Sequence, residues 1–90
     1  MNETERLAKM LVRRAQEVGM MVTCAESCTG GMVSAALTDI AGASAMFERS
    51  FVTYSNDAKM ELLGVQSATL ETHGAVSSET AIEMAAGALA

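Results

Sequence analysis

The side chains best suited to chemistry in this 90-residue sequence fall in two segments, and the first is the run AESCTGG at residues 25–31. Main-chain N–H groups at the start of a helix bind anions, and glycines let the ligand approach closely. The run therefore predicts a phosphate site at Ser27, Thr29, Gly30 and Gly31. The alternative is a plain turn in which Ser27 or Thr29 only caps the following helix. The run matches neither the dinucleotide-binding nor the Walker glycine pattern.

The second segment contains Ser44, Tyr54 and Lys59. A serine becomes a nucleophile when a base removes its proton, and a lysine whose ammonium is disfavoured by burial can be that base without a histidine. Tyr54 would then donate a hydrogen bond that orients either partner. The alternative is that Ser44 caps a turn, Lys59 is a solvated helix charge and Tyr54 is a core residue with a hydrated hydroxyl.

The cysteine and histidine side chains are weaker candidates for catalysis than these two segments. Cys28 at a helix N-terminus would have a depressed pKa and is a competing nucleophile. His73 precedes a glycine and is expected to pack at a helix end. Because the sequence has one His, and its two Cys residues are not at ligand spacing, we expect no structural zinc site.

The elements that position these residues follow from apolar spacing and cap residues. Two apolar runs rich in β-branched residues predict strands over 20–25 and 50–55. Caps, helical periodicity and glycine stops predict helices over 3–18, 32–40, 58–63, 67–72 and 79–89. A strand, a glycine turn and a helix in this order are typical of the start of an α/β unit.

The amino-acid composition limits the classes of molecule that the chain can bind. Six Lys and Arg against eleven Asp and Glu give a net charge of −5, so the chain has no basic field for nucleic acid or an anionic membrane. The N-terminal residues contain no secretion signal, and no apolar run is long enough to span a bilayer. We therefore expect a cytoplasmic protein.

The core is expected to be incomplete. Only 3% of the residues are aromatic, and a two-stranded sheet is marginal on its own. The last predicted helix continues to Ala90 without a capping signal. We interpret residues 1–90 as one domain that is only partly present, with sheet partners missing.

Several blocks of the sequence together resemble the C-terminal domain family of the competence/damage-inducible protein CinA. They are AESCTGG at 25–31, TDIAGAS at 38–44, FERSFVTYSNDAK at 47–59, and LLGV and HGAVS further on. The resemblance implies a three-layer α/β/α sandwich, of which only the first half, helices plus two strands, is present. It also implies hydrolysis of nicotinamide mononucleotide to nicotinate mononucleotide and ammonia.

The resemblance assigns roles to the candidate residues. The serine nucleophile of the family falls on Ser44, the lysine base on Lys59 and the assisting tyrosine on Tyr54. The glycine-rich turn of the nucleotide pocket falls on Ser27, Thr29, Gly30 and Gly31. The family chemistry needs neither a metal nor a cofactor.

Two positions depart from the family pattern. Position 50 is Ser where Gly is common, and position 43 is Ala where a second serine is often seen. We also expect a homo-oligomer. The alternatives are a non-catalytic nucleotide-binding or oligomerisation module, and an inactive truncated family member.

Overall fold

Two short parallel strands lie between two groups of helices. The computed structural model describes residues 2–90. Its helices are α1 (Glu3–Val18), α2 (Met32–Thr38), α3 (Asn56–Leu63), α4 (Ser67–His73) and α5 (Ser78–Leu89). The strands are β1 (Ala25–Glu26) and β2 (Phe51–Val52), and a 3₁₀ turn at Ala43–Ala45 precedes β2.

The helix ends follow the predicted caps. Asn2 Oδ1 accepts a hydrogen bond from the Glu5 N–H at 2.8 Å, and Gly19 ends α1 in the left-handed conformation with φ 69°. Ser55 and Ser77 cap α3 and α5 through their hydroxyls in the same way. The predicted order of helices and strands is therefore confirmed.

The strands are shorter than predicted. Ala25 lies opposite Phe51 in β2, whereas an isolated parallel bridge joins Val22 to Phe47. Between these two pairings the first segment is three residues long, from 22 to 25, and the second is four residues long, from 47 to 51. The extra residue interrupts the ladder as a bulge. This corrects the expectation of six-residue strands over 20–25 and 50–55.

Separate apolar clusters cover the two faces of the sheet. On one face α1 and α2 bury a cluster that includes Val12, Leu37 and Met46, and Cys24 and Phe47 pack against it. On the other face the cluster consists of Leu63, Val65 and Met84, with Ala25 and Phe51 packed against it. Each strand together with the residues directly before it contributes to both clusters, as buried parallel strands do. The α/β fold is confirmed, with helices on both sides of a two-stranded sheet.

Helix α5 approaches α3 so closely that a side chain cannot fit between them. A Cβ atom on Gly87 would lie 1.9 Å from the carbonyl oxygen of Leu63. Glycine is therefore required here by packing, although it weakens a helix interior. Within residues 2–90 no helix is long and apolar enough to cross a membrane.

Candidate active site

The candidate residues gather mainly where both strands end. The N–H of Thr53 donates to the carbonyl oxygen of Glu26 at 2.8 Å, the last hydrogen bond of the ladder. The glycine turn follows β1 at this end of the sheet. Tyr54 and then α3 follow β2 at the same end. Ligands of open α/β sheets bind outside the carboxyl ends of the strands, so this end is the first place to look for a site.

A buried carboxylate occupies the centre of the glycine turn. Glu26 is 4% exposed. Its Oε1 accepts hydrogen bonds from Thr29 Oγ1 at 2.8 Å, from the Gly31 N–H at 3.2 Å and from the Val33 N–H at 2.9 Å. Its Oε2 accepts from the Ser34 N–H at 2.9 Å and from Ser34 Oγ at 2.6 Å. Five donors thus hold one carboxylate at the start of α2.

These contacts set the ionisation of Glu26. Burial alone would raise the pKa of the carboxyl, but the hydrogen bonds from Ser34, Val33 and Thr29 outweigh it and lower the pKa to about 2. The carboxylate is therefore ionised at neutral pH and complements the positive end of the helix. Sequence reasoning missed this role. The sequence signal for this role was a Glu directly between a predicted buried strand and a glycine turn that precedes a helix.

The Glu26 carboxylate bears on the prediction that the glycine turn binds a phosphate. Donors that were expected for a phosphate, Thr29 Oγ1 and the Gly31 N–H, are directed at Glu26, and the Gly30 N–H donates to the Ser27 carbonyl. The alternative of a Ser27 or Thr29 cap is wrong, because Gly31 is the N-cap residue of α2 and no side chain caps from that position. Substrate binding by the turn stays a prediction.

Lys59 is buried, with 1% of its surface exposed. It lies in the first half of α3, and its Nζ donates to the Tyr54 carbonyl at 3.0 Å and to the Ser55 carbonyl at 3.5 Å. None of the four ion pairs found in residues 2–90 includes it. The alternative of a solvated helix charge is wrong. The structure places a desolvated amine at the carboxyl end of β2.

Tyr54 bonds to Lys59 through its main-chain carbonyl. Its side chain is 75% exposed, so the alternative of a core tyrosine is also wrong. The phenol stands beside the carboxyl end of β2, where solvent or a bound molecule can reach it. An orienting role for the phenol stays a prediction.

Ser44 lies at the other end of the sheet. It is an exposed residue of the 3₁₀ turn before β2. Its neighbours pair with the start of the fold: the Met46 carbonyl accepts from the Val22 N–H at 2.7 Å, and the Gly42 carbonyl accepts from Gln16 Nε2 at 2.7 Å. The structure therefore brings Tyr54 and Lys59 together at the carboxyl ends and leaves Ser44 at the amino ends.

A cavity of about 450 Å³ opens beside the end of β1. It is lined by the turn residues Ser27, Cys28 and Thr29 and by Ala75, Val76 and Ser77 before α5. Its other lining residues are mostly apolar and belong to the strand segment, α2 and α5; they include Ala25, Val33, Ala81, Met84 and Ala85. This volume is in the range of small-molecule sites. Two sequence blocks that are distant along the chain, AESCTGG and HGAVS, thus meet at one cavity.

The whole chain has recognisable relatives. Residues 4–90 match the family described as CinA C-terminal domain. The chain belongs to this family.

Two named relatives and one solved structure illustrate the likeness. The chain is 65% identical over 71 residues to the nicotinamide-nucleotide amidohydrolase PncC of Enterobacter agglomerans, which covers 79% of this chain and 43% of the relative. It is 52% identical over 88 residues to the protein of that name from Escherichia coli K12, with coverage of 98% and 53%. The competence/damage inducible protein CihA from Agrobacterium tumefaciens superposes with a TM-score of 0.94 at 53% identity, covering 99% of this chain and 54% of that one. The chain spans about half the length of these relatives.

Ser50 extends the Glu26 network. Ser34 Oγ lies 2.7 Å from Ser50 Oγ. Since the Ser34 hydroxyl proton is directed at Glu26, Ser50 donates to Ser34. Ser50 therefore connects the carboxylate to the residues directly before β2.

Thr53, His73 and Cys24 lie close to the candidate residues along the chain or at predicted positions. Thr53 is fully buried, and its Oγ1 has no hydrogen-bond partner in residues 2–90. His73 is the last residue of α4, at the predicted helix end, with Nδ1 3.5 Å from Glu79. Burial and the charge of Glu26 raise the pKa of the Cys24 thiol, which makes that thiol a poor nucleophile at neutral pH.

Proposed function

We propose that this chain carries part of an amidohydrolase site that converts nicotinamide mononucleotide to nicotinate mononucleotide and ammonia. The observation that supports this most strongly is Lys59, a buried amine held by main-chain carbonyls and free of any ion pair in the described residues. Buried lysines without a counter-charge are costly and are typical of general bases. The name of two relatives, nicotinamide-nucleotide amidohydrolase, supports the choice of substrate.

The hydrogen bonds of Lys59 suit a base. The Tyr54 and Ser55 carbonyls each accept a hydrogen bond from Nζ and hold the amine in one position, in which it would take the proton of a nucleophile. Histidine is then unnecessary, in agreement with a chain whose single His lies at the end of α4.

The reaction proceeds through an acyl-enzyme. The serine Oγ bonds to the carboxamide carbon while Lys59 takes its proton. The tetrahedral oxyanion is stabilised by main-chain N–H groups, and the C–N bond breaks as the leaving nitrogen receives a proton and departs as ammonia. Water then hydrolyses the ester, which releases nicotinate mononucleotide and restores the serine.

Two serines are candidates for the nucleophile. The family resemblance favours Ser44, which lies at the amino ends of the strands. The geometry favours Ser27, because it leaves the sheet at the same end as Lys59 and lines the cavity. Ser27 follows Glu26 directly, so the five hydrogen bonds of that carboxylate also hold the Ser27 main chain in place.

The experiment that tests the function is a chimera. The chain replaces the matching 88 residues of the Escherichia coli relative, so that its residues act within a full-length protein. We expect release of ammonia and nicotinate mononucleotide, with Lys59→Ala lowering kcat about 100-fold or more. Ser27→Ala and Ser44→Ala in the chimera then identify the nucleophile, and Ser78→Ala, an exposed serine of α5, is the matched control.

The second candidate is a non-catalytic nucleotide-binding module. It is favoured by the separation of Ser44 from Lys59, together with a cavity that has the volume of a ligand site. Calorimetry separates the two. Binding of nicotinamide mononucleotide to the chimera that is unchanged by Lys59→Ala, with no product formed, supports the module and contradicts the enzyme.

We also propose a homo-oligomer in the cytoplasm. The numerous exposed apolar side chains, among them Leu7, Met32 and Ile82, favour association. Sedimentation equilibrium of the chimera tests this, and a monomer at all concentrations contradicts it.

A further inference from the structure

Thr53 carries a buried hydroxyl without a hydrogen bond. The residue is fully buried, and its Oγ1 has no partner within residues 2–90. Thr80 is equally buried, but its Oγ1 donates to the Gly74 carbonyl at 2.7 Å. A buried hydroxyl that makes no hydrogen bond is unfavourable, because it has lost its contact with water and has no protein partner in exchange. The stability of the resting fold therefore explains the hydroxyl of Thr80 and does not explain that of Thr53.

The Thr53 side chain lies on the face of the sheet that α3 and α5 cover. Its N–H donates to the Glu26 carbonyl at 2.8 Å, so Thr53 continues β2 by one residue. Side chains alternate between the two faces of a strand, and Phe51 packs against the apolar cluster of α3 and α5. Val52 points to the opposite face, where its Cγ2 would lie 3.7 Å from a Cβ on Gly31. Thr53 therefore shares the face of Phe51.

Lys59 lies on the same face of the sheet. It is four residues before Leu63 on α3 and both are buried, so both side chains are on the side of the helix that faces the sheet. Leu63 belongs to the cluster against which Phe51 packs. The Lys59 Nζ donates at 3.0 Å to the carbonyl of Tyr54, the residue directly after Thr53. The Thr53 hydroxyl and the Lys59 amine are therefore two buried polar groups between the end of β2 and α3.

We propose that Thr53 is a positioning residue for Lys59, and that its hydroxyl accepts an N–H of the ammonium that forms when Lys59 takes the proton of the nucleophile. An ammonium has three N–H donors. Within residues 2–90 the Lys59 Nζ has two acceptors, the Tyr54 and Ser55 carbonyls. The unpartnered Thr53 Oγ1 is available as the third. The proposal rests on the proposed role of Lys59 as a base.

The hydroxyl would act in the steps in which Lys59 is charged. The proton leaves the serine Oγ and adds to Nζ, and the leaving nitrogen later takes a proton and departs as ammonia. Between these transfers the buried amine carries a positive charge, and hydrogen bonds to a charged group are stronger than those between neutral groups. A hydroxyl that is unpaired at rest therefore stabilises the transition state more than the ground state. Its removal should lower kcat and leave KM unchanged.

The first experiment compares the stability of two threonine variants of the chain. Thr53→Val keeps the shape and removes a hydroxyl that has no partner, so we expect the melting temperature to stay the same or to rise. Thr80→Val removes a bonded hydroxyl, so we expect the melting temperature to fall by about 4 °C or more. An equal fall with Thr53→Val, or failure of that variant to fold, overturns the proposal because it assigns the hydroxyl a structural role.

The second experiment detects the contact itself and does not depend on activity. Nitrogen-15 NMR follows the exchange of the Lys59 Nζ protons with water in the chimera, in acidic solution, and the Lys59→Met variant assigns the signal. We expect exchange to be about tenfold or more faster in Thr53→Val. Thr53→Ser retains the hydroxyl and is expected to stay within about threefold of the unmodified chimera. Equal exchange in the unmodified chimera and in Thr53→Val overturns the proposal.

The third experiment measures ammonia release from nicotinamide mononucleotide by the chimera. We expect Thr53→Val to lower kcat about tenfold while KM changes by less than about twofold, and Thr53→Ser to restore most of the loss. An unchanged kcat in Thr53→Val overturns the positioning role. A chimera that releases no ammonia contradicts the function of the site, whereas the contact between Thr53 and Lys59 is decided separately by the proton exchange.

Discussion

Ser34 bonds to the Glu26 carboxylate twice, through its N–H at 2.9 Å and through its hydroxyl at 2.6 Å. This pair joins the end of β1 to the first turn of α2 and fixes the turn between them. The candidate site is built on that junction, because Ser27 and Thr29 lie within the turn. The Glu26 carboxylate is therefore the group on which the local geometry most depends.

Replacing Glu26 with Gln is expected to lower the free energy of unfolding by roughly 2–4 kcal/mol. The amide keeps the shape but loses the charge, and its NH₂ group faces N–H donors. Urea denaturation measures the change. Glu61→Gln, on the exposed face of α3, is the control and should alter stability by less than about 0.5 kcal/mol. Equal effects of the two substitutions would show that the network is not stabilising.

Stability is expected to depend on Glu26 in acid. Its pKa falls from the ordinary value of 4.5 to about 2 in the folded chain, so folding favours the ionised carboxyl. This contribution is complete above pH 4.5 and is lost as the pH falls through about 2. It amounts to roughly 3 kcal/mol. Urea titrations from pH 6 to pH 2 should show a steeper loss in the unmodified chain than in the Glu26→Gln variant, and parallel curves would contradict the assignment.

The helices were the most predictable part of the fold. Asn2, Ser55 and Ser77 bond to main-chain N–H groups as their positions imply, because capping is a local interaction between residues two or three apart. The strands were less predictable. Whether a strand carries one extra residue depends on its partner, and the bulge between Phe47 and Phe51 has no local signal.

The site was predictable in part, for similar reasons. The burial of Lys59 follows from its place on the inner face of α3, although spacing alone left open a solvated side chain. Ser44 is separated from Tyr54 and Lys59 because it precedes β2, whereas they follow it. The end of the sheet at which each residue lies depends on the parallel pairing of the strands, which the sequence alone does not give. Glu26 was overlooked because a charged residue beside a turn is usually exposed.

Lys59→Met is expected to leave the stability unchanged or to increase it. Methionine has a similar length and removes the cost of burying an amine, while the two lost hydrogen bonds are to carbonyls. Thermal unfolding of the 90-residue chain measures this. Lys9→Met, at a half-buried position of α1, controls for added hydrophobicity. A large loss of stability specific to Lys59→Met would assign the lysine a structural role.

Gly87→Ala is expected to destabilise the chain by roughly 1–3 kcal/mol. Alanine is the better helix former by about 1 kcal/mol, but its Cβ would lie 1.9 Å from the Leu63 carbonyl and force α5 away from α3. Ala86→Gly at the neighbouring position is expected to cost about 1 kcal/mol through helix propensity alone. If Gly87→Ala is at least as stable as the unmodified chain, the close approach of the two helices is wrong.

The proposed role of Lys59 as the base of an amide-hydrolysing site is tested by its effect on turnover. The kcat for ammonia release from nicotinamide mononucleotide is compared between the full-length chimera and its Lys59→Met variant, after both are shown to fold. We expect turnover in the chimera and a loss of about 100-fold or more in the variant. Equal turnover by the two proteins would contradict the role of Lys59 as base.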